Sequence, residues 1–206
     1  MENTTVYLIR HSEPFKVHRG KKNTNESLLI ENEKTPLSIN GEKMAEKIAK
    51  KSEFIGLDVV SSSNYVRTMS TAKYFAFNNN LKVDIDERFN ERIHGVDSYS
   101  DLPSDFEIKQ FDDANFKVGF GESQQEVQSR MYDALLELIK EYHGKKIAIV
   151  SHSTAIAFLL KKWCECQYSG EYKFKNHPFF NGEWKYIQTF KLTFNDEELC
   201  SIETIN

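Results

Sequence analysis

Residues 146–151 read KIAIVS and are followed by His152, Ser153 and Thr154, and then by an apolar run to about Trp163. The six residues are mostly apolar and rich in isoleucine and valine, which is typical of a strand buried on both faces of a parallel sheet. The apolar run that follows has the length of a helix. We therefore interpret this segment as a buried strand that leads directly into a helix, with His152 at the junction.

Strands and helices alternate along the rest of the chain in the same way. Residues 5–9, TVYLI, predict another buried strand, which stops at Arg10 and His11. Ser38 is placed to cap a helix that runs to about residue 51, and residues 123–126, SQQE, have the form of a capping box. The remaining predicted strands are residues 57–60, 82–85, 184–194 and 199–204, and the remaining helix is residues 65–77.

This order of elements predicts the fold class. Strands that alternate with helices form a largely parallel sheet with helices on both faces. The last two predicted strands follow one another across a short polar turn, which is typical of an antiparallel pair. We therefore expect an α/β fold: a three-layer α/β/α sandwich with a mostly parallel central sheet and a late antiparallel strand pair.

Three of the predicted strands end in polar side chains. Arg10 and His11 end the first strand, residues 61–63 (SSS) end the second, and His152 follows residues 146–151. Open α/β sheets bind ligands at the carboxyl ends of their strands. A histidine at that edge can act as a nucleophile if a neighbour holds its tautomer, and an adjacent arginine can bind phosphate oxygens. These positions favour phosphate chemistry.

Composition argues against several other classes of protein. The chain has 206 residues, a net charge of -4 and a pI of about 5.9, so nucleic acid is not an expected partner. The N-terminus does not read as a signal peptide, and no window approaches the ~20 apolar residues of a membrane span. An odd number of cysteines, Cys164, Cys166 and Cys200, does not predict a disulfide framework. We expect a cytoplasmic protein with no membrane partner.

Six short motifs occur in a fixed order between residue 5 and about residue 160. They are LIRHSE (8–13), PLSING (36–41), SSNYVR (62–67) with TA (71–72), FNER (89–92), GES (121–123) and VSHS (150–153). Each motif is weak evidence alone, but six in order are highly specific. Together they resemble the histidine phosphatase superfamily, which includes the cofactor-dependent phosphoglycerate mutases.

The resemblance implies a role for each matching residue. His11 is expected to be the nucleophile that carries the phosphoryl group. Arg10 and Arg67 are expected to bind phosphoryl oxygens, and His152 to complete the pocket. Glu91 is expected to donate a proton to the leaving group. Phosphoryl transfer needs charge neutralisation and alignment, which these cations supply, so neither a metal ion nor a cofactor is expected.

Two positions depart from the family pattern. Ser12 and Ser153 replace the glycine that usually follows each catalytic histidine. A serine hydroxyl can bond phosphate, so both are candidate substrate-binding residues. A locally basic run also follows the first motif, and we hypothesise that its Lys21 and Lys22 favour substrates with a second negative group; a solvated loop is the alternative. The run consists of Lys16, His18, Arg19, Lys21 and Lys22.

The resemblance further implies one catalytic domain over residues 1–206, with insertions at about 12–36 and 92–120. Mutases of this family carry an Arg-Arg pair in the second insertion to hold a carboxylated substrate. That segment has no such pair here; its basic residues are Arg92, Lys109 and Lys117. We therefore expect a metal-independent phosphomonoester hydrolase that acts on a small phosphorylated metabolite through a phosphohistidine.

Two other activities stay open at this point: a phosphoglycerate mutase, and a non-catalytic binder of phosphorylated ligands with the same fold. The serines at 12 and 153 motivate the binder, whereas Glu91 argues against it, because a binder needs no acid. A metal site built on His11 and His152 is disfavoured, since no His-x-x-x-His or Glu-x-x-His spacing is present. The motifs specify neither the physiological substrate nor the oligomeric state.

Overall fold

The computed structural model describes residues 3–16 and 27–205. Its strands are β1 (Thr4–Arg10), β2 (Val59–Ser62), β3 (Val83–Ile85), β4 (Lys146–Ser151), β5 (Cys164–Cys166), β6 (Tyr172–Phe174), β7 (His177–Phe180), β8 (Thr189–Asn195) and β9 (Glu198–Ile205). Its α-helices are α1 (Leu28–Lys34), α2 (Ile39–Ala49), α3 (Val66–Asn78), α4 (Phe106–Asp112), α5 (Gln124–Glu141) and α6 (Ser153–Leu160). Short 3₁₀ turns occupy Ser52–Phe54, Glu87–Phe89 and Tyr99–Asp101.

The central sheet has the order β3-β2-β4-β1-β8-β9. Its first four strands are parallel, while β8 pairs antiparallel with β1 and β9 pairs antiparallel with β8. This arrangement confirms the predicted fold class, including the late antiparallel pair. A second, antiparallel sheet of β5, β6 and β7 was not predicted, because strands of three or four residues are too short to show a periodic pattern.

The alternation of side chains along β1 divides the core between the two faces of the sheet. Val6 and Leu8 pack with α5, α6 and the small sheet, whereas Tyr7 and Ile9 pack with α2 and α3. A strand places successive side chains on opposite faces, and here both faces are covered. Residues 6–9, VYLI, are therefore all buried because β1 is covered on both sides.

The strand register brings the predicted polar residues to one edge. Arg10, the last residue of β1, lies opposite Ser151, the last residue of β4. Ser62, at the end of β2, lies opposite Val150 of β4. The three strands thus end together, which confirms the prediction that their following residues share an edge of the sheet.

The first insertion is more regular than predicted. The sequence predicts only an insertion at about residues 12–36, whereas the structure shows that it contains the helix α1, which the Ser27 side chain caps by accepting a hydrogen bond from Ile30 N. A seven-residue helix has little stability alone. It is held from outside, since Arg67 donates a hydrogen bond to the carbonyl of Asn32.

The motif PLSING docks α2 against the segment after His11. Ser38 caps α2, donates its hydroxyl proton to the Glu13 carboxylate, and donates its backbone N–H to the Glu13 carbonyl. Gly41 is required by the close approach of the chains, because a Cβ there would lie 2.1 Å from the Glu13 carbonyl oxygen. Every helix in the described ranges is too short or too polar to span a lipid bilayer.

Candidate active site

His11 follows directly after β1 and is almost fully buried. Its Nδ1 lies 2.7 Å from the carbonyl oxygen of Ser12. A carbonyl can only accept, so Nδ1 carries the proton and Nε2 carries the free lone pair. Burial, and then the charge of Arg67, lower the pKa of His11 well below its ordinary value. The ring is therefore neutral near pH 7, with Nε2 available as a nucleophile.

His152 is the N-cap residue of α6, but its side chain caps no backbone group. Instead its ring lies between Arg67 and Ser63 in a buried hydrogen-bond network. Arg67 Nη2 lies 3.0 Å from His152 Nδ1, and Ser63 Oγ lies 2.9 Å from its Nε2. A guanidinium can only donate, so neutral His152 accepts at Nδ1 and donates from Nε2 to Ser63. Burial and the Arg67 charge lower the pKa of His152 as well. The rings of His11 and His152 lie 5.3 Å apart.

Two arginines border these rings. Arg67 lies on the first turn of α3 and is nearly fully buried, where its guanidinium also lies 4.9 Å from the ring of Tyr65. Arg10 donates to the carbonyl of Trp184 at 3.1 Å and lies over the ring of Tyr186. Burial lowers the pKa of both guanidinium groups, yet arginine stays cationic at neutral pH. Both charges can therefore bind an anion.

The buried Nε of Arg10 has no hydrogen-bond partner among the described residues. Leaving such a donor unpaired is costly. An oxyanion bound beside His11 would supply the missing acceptor. The pocket thus has two cations and one donor, Arg10 Nε, that no described residue satisfies.

Glu91 lies at the start of the loop that follows the Glu87–Phe89 turn. Its Oε1 accepts from the backbone N–H of Ala155 at 3.0 Å and of Arg92 at 3.1 Å. Ala155 belongs to the first turn of α6, whose unpaired N–H groups attract anions. The negative charge of Glu91 also raises the pKa of Arg10 and Arg67 against the effect of burial. The Glu91 carboxylate therefore lies within electrostatic range of the guanidinium groups of Arg10 and Arg67.

The four candidate substrate-binding residues, Ser12, Ser153, Lys21 and Lys22, have different environments or lie outside the described residues. Ser12 is fully buried, and its hydroxyl donates to the Gly41 carbonyl at 2.7 Å, so contact with phosphate would require this bond to be given up. Ser153 is half-buried at the start of α6 and lines a cavity. Lys21 and Lys22 lie outside the described residues, as do His18 and Arg19; Lys16 is exposed.

A cavity of about 210 Å³ opens beside Ser153 and Trp184. Two of its lining residues connect it to the site. Ser153 follows His152 directly in sequence, and the carbonyl of Trp184 accepts a hydrogen bond from Arg10. Aromatic side chains form much of its wall: Phe111, Phe158, Tyr168, Tyr172 and Trp184. Because a small ligand pocket is concave, largely apolar and close to a few polar groups, this cavity can hold the remainder of a small phosphorylated ligand.

The basic residues of the second insertion are all engaged in ion pairs. Arg92 contacts Glu107, Lys109 contacts Asp105 and Lys117 contacts Glu126, at 2.5, 2.8 and 2.6 Å. Arg92 is also nearly buried and stacks over Phe106. Their charges are therefore matched by acids of this same chain.

Several residues of the site were not predicted from the sequence. Ser63 lies in the quoted motif SSNYVR, but its bond to His152 joins residues 89 positions apart. Trp184 contributes a main-chain carbonyl, which no side-chain motif can signal. Within residues 3–16 and 27–205, no three His, Cys, Asp or Glu side chains form a group that could hold a metal ion.

Known proteins are similar to this chain over most of its length. The family model described as histidine phosphatase superfamily (branch 1) matches residues 6–189. The probable phosphoglycerate mutase GpmB of Serratia proteamaculans is 30% identical over 163 residues, which are 75% of this chain and 72% of that protein.

Solved structures show the same fold at lower identity. A mycobacterial glucosyl-3-phosphoglycerate phosphatase superposes with a TM-score of 0.68 at 19% identity, covering 98% of this chain and 97% of its own. A phosphoserine phosphatase from Entamoeba histolytica, solved as a mutant with phosphoserine, superposes with a TM-score of 0.67 at 20% identity, covering 97% and 96%. At these identities the likeness concerns the fold alone.

Proposed function

Because the chain belongs to branch 1 of the histidine phosphatase superfamily, we propose that it is a phosphomonoester hydrolase that acts on small phosphorylated metabolites through a phosphohistidine. One observation carries this proposal. The bond from His11 Nδ1 to the Ser12 carbonyl fixes the tautomer whose Nε2 lone pair can attack phosphorus. We take a single domain to carry the activity, because β1, β2 and β4, which end at Arg10, Ser62 and Ser151, share one edge of the central sheet.

In the first step, His11 Nε2 attacks phosphorus and the bond from phosphorus to the ester oxygen breaks. Glu91 donates a proton to that oxygen, so the leaving group departs as an alcohol. Oε1 of Glu91 is held by two backbone N–H groups, which leaves Oε2 to carry the proton. The imidazole becomes a phosphoimidazolium, whose Nδ1 proton stays bonded to the Ser12 carbonyl.

In the second step, water attacks phosphorus and the bond from phosphorus to Nε2 breaks. The Glu91 carboxylate takes the proton of the water, and orthophosphate leaves with His11 neutral again. Arg10 and Arg67 neutralise the phosphoryl oxygens in both steps, which is the main requirement of phosphoryl transfer. His152, bonded to Arg67, orients that guanidinium and borders the same oxygens.

The ion pairs of the second insertion support hydrolysis over mutase activity. A mutase must hold a carboxylated intermediate while it turns over in the site. Arg92, Lys109 and Lys117, the basic residues of that segment, are each paired with an acid of this chain. The cavity of about 210 Å³ beside Ser153 fits a small leaving group. Mutase activity is the second candidate, because a relative at 30% identity is named as a probable phosphoglycerate mutase.

The test is a panel of phosphomonoesters assayed for phosphate release in excess EDTA, with conversion of 3-phosphoglycerate to 2-phosphoglycerate measured in parallel. We expect phosphate release that survives the chelator and disappears in His11→Gln. Interconversion of phosphoglycerates without phosphate release would identify a mutase. Binding without turnover would identify a binder, and activity restored only by added metal would overturn the proposed chemistry.

A further inference from the structure

Arg130 lies on α5 and is partly buried. Its side chain binds the loop that carries Glu91, the proposed proton donor. Its side chain is 19% exposed. Nη1 donates to the carbonyl oxygens of Arg88 and Asn90 at 2.7 and 2.9 Å, and Nη2 donates to that of Glu91 at 3.3 Å. One guanidinium thus fixes three carbonyl groups within four consecutive residues, and the last belongs to Glu91 itself.

Glu122, which directly precedes the N-cap residue Ser123 of α5, is the second member of this network. Its carboxylate accepts from Arg130 Nε at 2.7 Å and from Nη2 at 2.9 Å, which is a bidentate pair. It also accepts from the backbone N–H of Ile93 at 3.0 Å, and its own N–H donates to the Ile93 carbonyl at 2.9 Å. The loop is therefore held on both sides of Glu91.

These contacts use the full donor capacity of Arg130. A guanidinium has five N–H groups, and the five hydrogen bonds above engage three carbonyls and one carboxylate. Lysine has three donors on one nitrogen and cannot reproduce a planar, bidentate geometry. The donors that do not bind Glu122 all bind carbonyl oxygens of residues 88–91, the segment that carries Glu91.

The geometry points to Arg130 and Glu122 as positioning residues that set the placement of the Glu91 carboxylate toward the leaving group. The inference rests on the proposed role of Glu91. Arg130 holds the backbone of Glu91, while Ala155 N–H and Arg92 N–H hold its side chain. Proton transfer needs donor and acceptor within hydrogen-bond reach, so a small shift of this backbone removes the acid from its target.

The test uses Arg130→Lys with two substrates, an alkyl phosphate and nitrophenyl phosphate. We expect kcat/KM for the alkyl ester to fall by about 10- to 100-fold, since a misplacement of ~1 Å costs on the order of 10²-fold. Nitrophenolate leaves without a proton, so its ester should change by less than about threefold. The matched control is Lys140→Gln on the same helix, because Lys140 is exposed and its side chain pairs with Glu197; it should leave both rates unchanged.

Two further variants separate positioning from a general structural defect. In a Glu91→Gln background, Arg130→Lys should lower alkyl ester hydrolysis no further, because residues that act through one another are not additive. A loss in both backgrounds would overturn the inference. Glu122→Gln replaces Arg130→Lys if that variant does not fold. It keeps the side-chain shape but weakens the hydrogen bonds to Arg130, so it should give the same selective loss to a smaller degree.

These kinetic results distinguish a failure of the positioning role from a failure of the proposed function. One outcome is that Glu91→Gln slows the alkyl ester selectively while both Arg130→Lys and Glu122→Gln leave the ratio of the two kcat/KM values at its wild-type value. In that case the positioning role is wrong and the proposed function stands. If Glu91→Gln slows both esters equally, Glu91 is not the proton donor, and the positioning role is wrong with it.

Discussion

His11 and His152, whose ring centroids are 5.3 Å apart, are held in opposite tautomers. The Ser12 carbonyl requires a proton on Nδ1 of His11, whereas the Arg67 guanidinium requires a lone pair on Nδ1 of His152. One ring can therefore attack phosphorus through Nε2 while the other keeps Arg67 in place. The chemistry of the two histidines differs because their hydrogen-bond partners differ, although a similar local sequence, strand then histidine then serine, surrounds both.

The covalent intermediate should form on Nε2 of His11. Rapid mixing with labelled phosphomonoester, followed by an alkaline quench, should trap a base-stable adduct that acid releases. His11→Gln should abolish it, and His177→Gln, at an exposed position, should not. Digestion and mass spectrometry locate the label, and an adduct that persists in His11→Gln contradicts the assignment.

The effect of Glu91→Gln should depend on the leaving group. An alkoxide needs a proton, so alkyl phosphate hydrolysis should slow by roughly 10²- to 10⁴-fold, the usual contribution of general acid–base catalysis. Nitrophenyl phosphate should be affected far less while phosphorylation of His11 limits the rate. Steady-state kinetics on both esters provide the measurement.

Glu87→Gln is the matched control for that experiment, because Glu87 is exposed and lies four residues earlier in the same region. It should leave both rates unchanged. Equal losses on the two esters in Glu91→Gln would instead assign Glu91 to positioning or to activation of water.

Folding stability should fall as the solution is acidified below about pH 6.5. The pKa values of His11 and His152 lie well below 6.5 in the folded state, so the unfolded chain binds more protons as pH drops through 6.5. Each histidine adds a slope of up to about 1.4 kcal/mol per pH unit. Urea unfolding between pH 5 and 7.5 should show this slope, and His11→Gln should reduce it. A slope unchanged in His11→Gln would mean that His11 is protonated when folded.

Ser12 should matter more for stability than for phosphate binding. Ser12→Ala removes the buried donor to the Gly41 carbonyl and should cost about 1–3 kcal/mol, the typical penalty of an unpaired buried group. Ser104→Ala, at an exposed position, is the control. Chemical denaturation measures the loss, and KM measured on the folded variant checks the alternative. A raised KM with unchanged stability would mean that the hydroxyl binds phosphate.

The fold was predictable because its main signals are local. Buried strands such as KIAIVS are long enough to be distinguished, and the capping box at Ser123 begins α5 as its sequence indicates. The helix α1 was missed because its seven residues follow no clear apolar period and depend on a contact from Arg67. Strands β5 to β7 were missed because each has only three or four residues.

The site was predictable only where a motif marks it. His11 and His152 follow strands that end at one edge, so spacing and topology bring them together. Arg130 has no such signal, since it looks like any arginine on an amphipathic helix, and its partners are main-chain carbonyls. The Arg10 contact with the Trp184 carbonyl joins residues 174 positions apart, which only the folded chain reveals.

The position of β1 in the sheet has a consequence for synthesis. Its two partners, β4 and β8, come from residues 146–151 and 189–195. A growing chain therefore leaves both edges of β1 unpaired until residues 146–151 have left the ribosome, and one edge unpaired until residues 189–195 have followed. Such distant pairings fold slowly and leave unpaired strand edges open to aggregation. The sheet edge at His11 is therefore incomplete until β4 has formed, and a chain released before β8 has no partner for β1 on that side.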